Sequence, residues 1–460
     1  MGGWSHRGKL ERGFGGEFSL TTGVHMSANG KKTIVISNGT LIDGKGNPPV
    51  RNEAIVIQGN RIKCTGRLPG DVRLEDRDNV EVIDAAGRWI MPGLIDAHTH
   101  LSYGNPKVPG EARGRGTIRP EFNTLRAARN AQRVLRSGVT SISVPGGTWF
   151  TDAAVRDAIK LGLIEGPRVY CASRMIVTYG SIEDEEPSWV GTPDHSIGVL
   201  CNSAAEMVAE VRRQCKHGVD FIKLADSRSG DIQTLAKEEI AAVVGEAHRR
   251  NVKVAIHSRG SASTRAAAEA GVDWIMHTDM ATEADLEAVA KAGVRIVPTA
   301  TFVERVLEVG REVGQEQIQI SLERMKKNMD GLVNVLERAR AMGIKVMCGT
   351  DCGNYAWMPY GKMHAKEPEI LVRYGGYTPL EAISACTKEN AFAVGLENQV
   401  GVLEAGKLAD VIILEKNPAA DIRVLQDPAN LAAVIKDGKK VKLDDQGAEE
   451  RLLTFQEAVA

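Results

Sequence analysis

Short apolar runs alternate with longer amphipathic stretches through the middle of the chain. The runs have the length of strands, whereas in the longer stretches apolar positions recur every three or four residues, as on one face of a helix. The runs end at His98/His100, Val144, Ala172, Lys223, His257, His277, Thr299 and Asp351. The stretches between them include 124–137, 203–217, 237–250, 263–270 and 283–292. This alternation predicts parallel strands joined by helical crossovers, and eight such units predict a (β/α)8 TIM barrel.

The two ends of the chain have a different pattern. Short β runs with Gly and Asn turns occupy 33–62, and similar runs return at 400–414 and 434–439. The pattern changes at Pro92-Gly93 and again after Leu396. We therefore predict an α/β protein in which a barrel, 93–395, is inserted in a small β-sandwich-like domain built from 33–92 and 396–445.

The first 32 residues differ from both regions. They are Gly-rich with scattered Lys and Arg, and they lack the apolar core of a secretory signal. We predict that 1–32 is a flexible extension outside the fold. The sequence also has no window of about 18 uninterrupted apolar residues, the length that a membrane-spanning helix requires.

Composition and charge exclude several classes of partner. Hydrophobic residues make up 43% of the chain and charged residues 25%, which is ordinary for a globular protein, and the formal net charge is −1. Because there is no basic field, we expect a small-molecule substrate and no binding to nucleic acid or to an anionic membrane. The seven cysteines form an odd set without a paired framework, which favours reduced core residues and a cytoplasmic location over disulfides.

Six side chains that can bind a metal stand at the ends of predicted strands. His98 and His100 are two residues apart, so in an extended strand both imidazoles point to the same side. In a (β/α)8 barrel the carboxyl ends of all strands meet at one mouth, so residues far apart in sequence converge there. The predicted set is His98, His100, Lys223, His257, His277 and Asp351. Imidazole and carboxylate donors suit Zn²⁺, Co²⁺, Mn²⁺ or Fe²⁺.

Lys223 is the unusual member of this set. A protonated amine repels cations, but addition of CO₂ to its Nζ gives a carbamate with two anionic oxygens that can bridge two ions. A lysine among these ligands therefore favours a binuclear site. A Schiff-base lyase that uses Lys223, and a metal-bearing scaffold without catalysis, are the alternatives from other functional classes.

The sequence resembles the amidohydrolase superfamily in the run 90–100, in the strand-end residues Lys223, His257, His277 and Asp351, and in the run 406–410. Within it, the chain looks most like the imidazolonepropionase-like branch, which includes prolidase-type dipeptidases, ochratoxinase, and the phenylurea and molinate hydrolases. The resemblance implies that His98, His100 and Asp351 hold one ion, most readily zinc, and that His257 and His277 hold a second. It further implies that carboxylated Lys223 bridges the two ions, that a bridging hydroxide attacks a C–N bond, that Asp351 carries the proton, and that the protein is a homo-oligomer.

The substrate prediction depends on the loops at the mouth. The peptide- and ochratoxin-cleaving members carry a Gly-His pair after the third strand, whereas here 176–186 has no histidine and ends in acidic residues. This favours a phenylurea-type substrate over the alternative, a dipeptide or N-acyl amino acid. Aromatic residues just past the strand ends are predicted to line an apolar pocket: Tyr103, Trp149, Tyr179, Phe302 and Trp357. His195 and His364 are further candidates for contact with substrate.

Overall fold

The computed structural model describes residues 33–70, 72, 74–76, 78–103, 119–184, 187–189, 196–226, 230, 232–315, 320–353 and 357–443. The predicted extension 1–32, His195 and the last two residues of the predicted β-domain, 444 and 445, lie outside these ranges.

The described strands are β1 Thr33–Leu41, β2 Val50–Gln58, β3 Arg61–Gly66, β4 Val80–Asp84, β5 Trp89–Pro92, β6 Leu94–Asp96, β7 Val139–Val144, β8 Arg168–Cys171, β9 Met175–Val177, β10 Gly198–Leu200, β11 Phe221–Ala225, β12 Lys253–Ser258, β13 Trp274–His277, β14 Arg295–Val297, β15 Val411–Leu414, β16 Leu431–Lys436 and β17 Lys439–Lys440. The α-helices are α1 Pro120–Arg136, α2 Thr151–Lys160, α3 Ala204–Lys216, α4 Lys237–His248, α5 Ser261–Ala270, α6 Glu283–Ala292, α7 Ala300–Val313, α8 Leu322–Ala341, α9 Lys366–Tyr374 and α10 Pro379–Ser384.

Strands from both ends of the chain share one sheet. Its order is β17-β16-β15-β5-β1-β2-β3, and β4 pairs with β1. The antiparallel pair of β15 with β5 joins the C-terminal strands to the N-terminal ones. Because side chains alternate along β15, Val411 and Ile413 pack in the core of this sheet, while Ile412 and Leu414 belong to the core of the barrel.

The remaining strands form the predicted barrel. Parallel pairs connect β6 to β7 and β8, and connect β9 and β11 to β12, β13 and β14. The amide of Asp220 donates to the carbonyl of Cys171 over 2.9 Å, which links β8 to β11. The fold class is therefore confirmed: an α/β barrel with a small β-domain.

The eighth strand of the barrel, predicted to end at Asp351, is less regular than the sequence pattern predicts. In the described segment 344–353 it forms isolated bridges instead of a continuous strand, and one of them pairs Val346 with Ile296. The barrel nevertheless closes, because the amide of Ala97 donates to the carbonyl of Cys348 over 2.9 Å.

An ion-pair cluster fixes the barrel to the β-domain. Arg168, at the start of β8, contacts the carboxylates of Asp410 and Asp437. Asp410 is buried, so its charge is compensated by a guanidinium held in the same interface. Within the described ranges, no helix combines the length and the apolar character needed to cross a bilayer.

Candidate metal centre

The structure brings the predicted strand-end residues to one place inside the barrel mouth. The imidazole centroids of His98 and His277 are 5.4 Å apart, and those of His257 and His277 are 4.3 Å apart. Lys223 and Asp351 interact electrostatically with this group. All six side chains are buried: His98, His100, Lys223, His257, His277 and Asp351.

Three donor atoms form a triangle of the size that one metal ion requires. Nε2 of His98 lies 3.2 Å from Nε2 of His100, and Oδ1 of Asp351 lies 3.4 Å and 3.0 Å from these two nitrogens. Ligand atoms about 2.1 Å from a tetrahedral ion are about 3.4 Å apart, so the triangle has the dimensions of one face of a zinc site. Donor atoms of His98, His277 and Asp351 also lie within 4.8 Å of one another. This second group takes one histidine from each of the two predicted ion sites.

His100 is oriented by a backbone carbonyl. Its Nδ1 is 2.7 Å from the carbonyl oxygen of Gly146, which can only accept, so Nδ1 carries the proton and Nε2 presents a lone pair. Gly146 has no room for a side chain, because an added Cβ would lie 2.5 Å from the hydroxyl of Tyr103. The close approach of this loop to His100 therefore depends on glycine.

His277 departs from the regular alternation of its strand. Trp274 and Met276 belong to the cluster inside the barrel, and Ile275 belongs to the core between the strands and the helices. A regular strand would therefore point His277 outward. Instead, His277 has a φ of 77°, in the left-handed region, and its ring joins the site. Asp351 also has a positive φ, 58°, and strained backbone of this kind is concentrated at functional sites.

Burial keeps three of the imidazoles, those of His98, His257 and His277, neutral at neutral pH. It lowers the pKa of His98 to about 4 and holds the pKa values of His257 and His277 well below their ordinary value, with the charge of Arg259 adding to the effect on both. Neutral imidazoles offer the lone pairs that a metal ion requires. Within the described part of the chain, the buried Nδ1 of His98 and Nε2 of His257 have no hydrogen-bond partner. This donor set fits divalent ions.

Lys223 and Asp351 have the charges that their predicted roles require. Burial lowers the pKa of Lys223 to about 7, so a large fraction of its amine is neutral and nucleophilic, and Nζ lies 2.5 Å from the sulfur of Met276. Burial alone would raise the pKa of Asp351, but His98 and His100 hold it well below its ordinary value. Asp351 is therefore a carboxylate at neutral pH.

The metal-free protein should lose stability as the pH falls. The folded pKa of His98, about 4, lies below the ordinary value of 6.5, so between these two pH values the unfolded chain binds a proton that the folded chain does not. As the pH falls through this range, His98 should thus contribute a destabilisation of up to about 3 kcal/mol, because each pH unit contributes roughly 1.36 kcal/mol. Urea unfolding after chelation, at a series of pH values, measures the slope. His98→Asn should flatten this slope, and a slope equal to that of the wild type in His98→Asn would contradict the assignment.

The predicted aromatic residues have different surroundings. The ring of Tyr103 is buried and stacks on His100 with centroids 3.9 Å apart. Phe302 and Trp357 are partly buried and pack against each other at 6.0 Å. The side chain of Tyr179 is 54% exposed. Trp149 contacts Phe150 and lies beneath the guanidinium groups of Arg174 and Arg213, the second of which is on α3.

Polar residues behind the histidines form a second layer that the sequence pattern does not predict. Asp96 accepts hydrogen bonds from the amide of His98 over 2.9 Å and from the hydroxyl of Thr350 over 2.6 Å. His364, a candidate for substrate contact, is instead buried behind the site, with Nδ1 2.7 Å from Asp96. The position of Asp96, two residues before His98 at the end of an apolar run, was the available signal.

Comparison with known proteins identifies relatives of the whole molecule. A model described as the amidohydrolase family matches residues 89–441. Ochratoxinase of Aspergillus niger is 29% identical over 452 residues, which cover 91% of this chain and 88% of the relative. The crystal structure of the A. niger enzyme matches with a TM-score of 0.77 at 28% identity, and the match covers 90% of this chain and 96% of the ochratoxinase chain.

Two further solved structures match most of the chain. A Xaa-Pro dipeptidase with bound methionine in the active site matches with a TM-score of 0.78 at 29% identity, over 89% of this chain and 100% of its own. Phenylurea hydrolase B matches with a TM-score of 0.70 at 23% identity, over 90% of this chain and 98% of its own. At that identity the likeness to phenylurea hydrolase B concerns the fold alone.

Proposed function

Because this chain belongs to the amidohydrolase family and is a hydrolase of C–N bonds, we propose that it cleaves an amide, urea or (thio)carbamate bond, with phenylurea-type compounds as substrates. The observation that carries the proposal is the buried triangle of His98, His100 and Asp351, with the neutral imidazoles of His257 and His277 beside it.

We assign two divalent ions to the site. His98, His100 and Asp351 would hold one, and His257 and His277 the other; zinc is the first choice, with Co²⁺, Mn²⁺ or Fe²⁺ as substitutes. Lys223 would bridge them as a carbamate: its neutral Nζ adds to CO₂ and loses a proton, which leaves one negative charge on two oxygens. Bound ions of this kind supply a nucleophile at neutral pH, because they lower the pKa of water to about 7, and they polarise the scissile carbonyl.

Asp351 is assigned the proton transfer. Its low pKa makes it a carboxylate that can accept the proton lost by the attacking water. Delivery of this proton to the leaving nitrogen lets the C–N bond break with a neutral amine as the product. Asp351 is near both histidines of the first ion site, so acceptance and delivery need no large movement.

The surroundings of the site support an aromatic, uncharged substrate. Phe302 and Trp357 form a partly buried aromatic pair beyond the strand ends. An acidic run, 183–186, follows β9, and its first two residues lie in the described part of the chain. Their negative charges would disfavour a substrate carboxylate.

One observation favours a second candidate, a dipeptidase or N-acyl-amino-acid amidase. The guanidinium of Arg259, held by buried Asp279, is close enough to affect the pKa values of Lys223, His257 and His277. A cation at this position would attract a substrate carboxylate. The similarity to ochratoxinase and to the Xaa-Pro dipeptidase points the same way.

A substrate panel with metal control tests these proposals. The zinc-loaded protein should hydrolyse at least one arylurea, and chelation should abolish the reaction, with recovery when zinc is restored. The panel should contain phenylureas, thiocarbamates, Xaa-Pro dipeptides and N-acyl amino acids, with metal content measured on the same samples. Preference for the last two classes would select the second candidate.

Three outcomes would reject the proposed chemistry. Absence of hydrolysis across the panel by a fully metal-loaded protein would favour a scaffold. Hydrolysis that persists in metal-free protein would exclude the ion-dependent route. Borohydride trapping of a carbonyl compound on Lys223 would favour the Schiff-base lyase.

A further inference from the structure

The side chain of Thr299 contacts the ring of His277 from outside the ion site. Nδ1 of His277 is 2.6 Å from Oγ1 of Thr299. Thr299 follows the short strand β14 and immediately precedes α7, and its backbone has a φ of 53°. A β-branched residue rarely adopts the left-handed region, so neighbouring contacts must hold Thr299 there.

Counting donors sets the direction of this hydrogen bond. The hydroxyl of Thr299 has one proton, and Oγ1 donates it to the carbonyl oxygen of Pro298 over 2.7 Å. Oγ1 must then accept from His277, which places the ring proton on Nδ1. The lone pair of His277 is therefore on Nε2, the nitrogen left for a metal ion.

Glu367 holds the turn that contains Thr299. This glutamate, at the start of α9, is fully buried, and its two oxygens accept from the amides of Ala300 and Thr301 over 3.0 and 2.7 Å. The hydroxyl of Thr301 donates to the same carboxylate over 2.6 Å. Glu367 thus caps the first turn of α7 from another helix, which fixes the residue just before that turn.

We propose that Glu367 and Thr299 are positioning residues that fix the tautomer and direction of His277, and thereby set the metal affinity of the centre. In this role both residues act through the ring of His277. The inference rests on the metal site assigned under the proposed function, but its first consequence, a His277 ring protonated on Nδ1, applies to the metal-free protein as well.

Matched substitutions separate this role from simple packing. Thr299→Val keeps the shape of the side chain and removes the acceptor, so zinc affinity should fall by about 10–100-fold, the usual effect of losing such an outer partner. Thr299→Ser keeps the hydroxyl and should stay near the wild-type affinity. Glu367→Gln, which loses one of the two acceptors facing the α7 amides, should shift the affinity in the same direction as Thr299→Val. Glu369→Gln, on the same helix but paired with Lys366, is the control that should leave zinc affinity unchanged.

Two measurements are needed. Zinc affinity is obtained by competition with a chromogenic chelator. The tautomer of His277 is read in metal-free protein from imidazole ¹⁵N chemical shifts, with His277→Gln used to assign the signal. We expect Nδ1–H in the wild type and in Thr299→Ser, and a mixture of tautomers in Thr299→Val.

The two proposals fail in different ways. Wild-type protein that binds no zinc but shows the Thr299-dependent tautomer would overturn the proposed metal site and support the positioning role. Zinc binding that is equal in the wild type and Thr299→Val, with an unchanged tautomer, would overturn the positioning role alone. A lower melting temperature with unchanged tautomer and affinity would show that Thr299 serves only packing.

Discussion

Replacing Lys223 with alanine is expected to remove one of the two divalent ions and most of the turnover. The buried amine interacts electrostatically with His98 and with His257, one histidine of each assigned ion site, and as a carbamate it would be their shared anionic ligand. Without it, two cations would be held close together with less negative charge between them, so the second should dissociate. Loss of a residue that only orients a metal ligand costs up to about 100-fold. Lys223 is assigned as a ligand itself, so we expect kcat to fall by at least that factor.

Metal analysis by mass spectrometry and steady-state kinetics measure both effects. Lys253→Ala is the matched control, because Lys253 begins the neighbouring strand β12 and pairs with Glu397 at the opposite end of the barrel. That variant should keep two ions and its rate. Small carboxylates such as acetate should restore part of the activity of Lys223→Ala. Full rate with two ions per chain in Lys223→Ala would show that the lysine does not bridge.

Replacing Asp351 with asparagine should preserve the fold and remove proton transfer. Asparagine has nearly the same shape, and its amide oxygen can still face His98 and His100, but it cannot take up a proton. The expected loss in kcat is about 10²–10⁴-fold, the usual contribution of general acid–base catalysis. Substrate binding should change less, so most of the effect should be in kcat and not in KM.

The comparison requires a folded variant with a known metal content. Circular dichroism and the melting temperature establish folding, and kcat is compared at equal metal occupancy. Asp421→Asn, at an exposed ion pair in the β-domain, is the control for the same chemical change. Near-wild-type kcat in Asp351→Asn would reject this residue as the proton carrier.

The alternation of apolar runs was sufficient to predict the barrel and the convergence of its strand ends. His98 and His100 could be recognised because two residues spaced i, i+2 at the end of a strand share one side. Lys223 and His257 could be recognised because each lies two residues after an inward-facing position of its strand, Phe221 and Ala255. The prediction was less accurate for the eighth run, where isolated bridges replace a continuous strand in the described segment 344–353.

Loop residues were harder to place from sequence. Trp149 and Tyr103 both follow strand ends, yet Trp149 lies beneath the guanidinium of Arg174, whereas Tyr103 stacks on His100. Which side of a loop an aromatic ring covers depends on contacts with elements distant in sequence. His364 illustrates the same limit, because Asp96, its partner in the structure, is 268 residues away.

The sequence alone determined the fold class and was enough to predict the two-part organisation and six residues that can bind a metal, because apolar patterning and residue chemistry are local properties. Only the tertiary structure decided which nitrogen of His100 and of His277 is left for a metal ion. The carbonyl of Gly146 orients His100. The left-handed backbone of His277 and the hydroxyl of Thr299 orient His277, and Glu367 holds the turn that follows Thr299. These orientations arise from packing between segments that are far apart in the chain, and no period along the sequence encodes them.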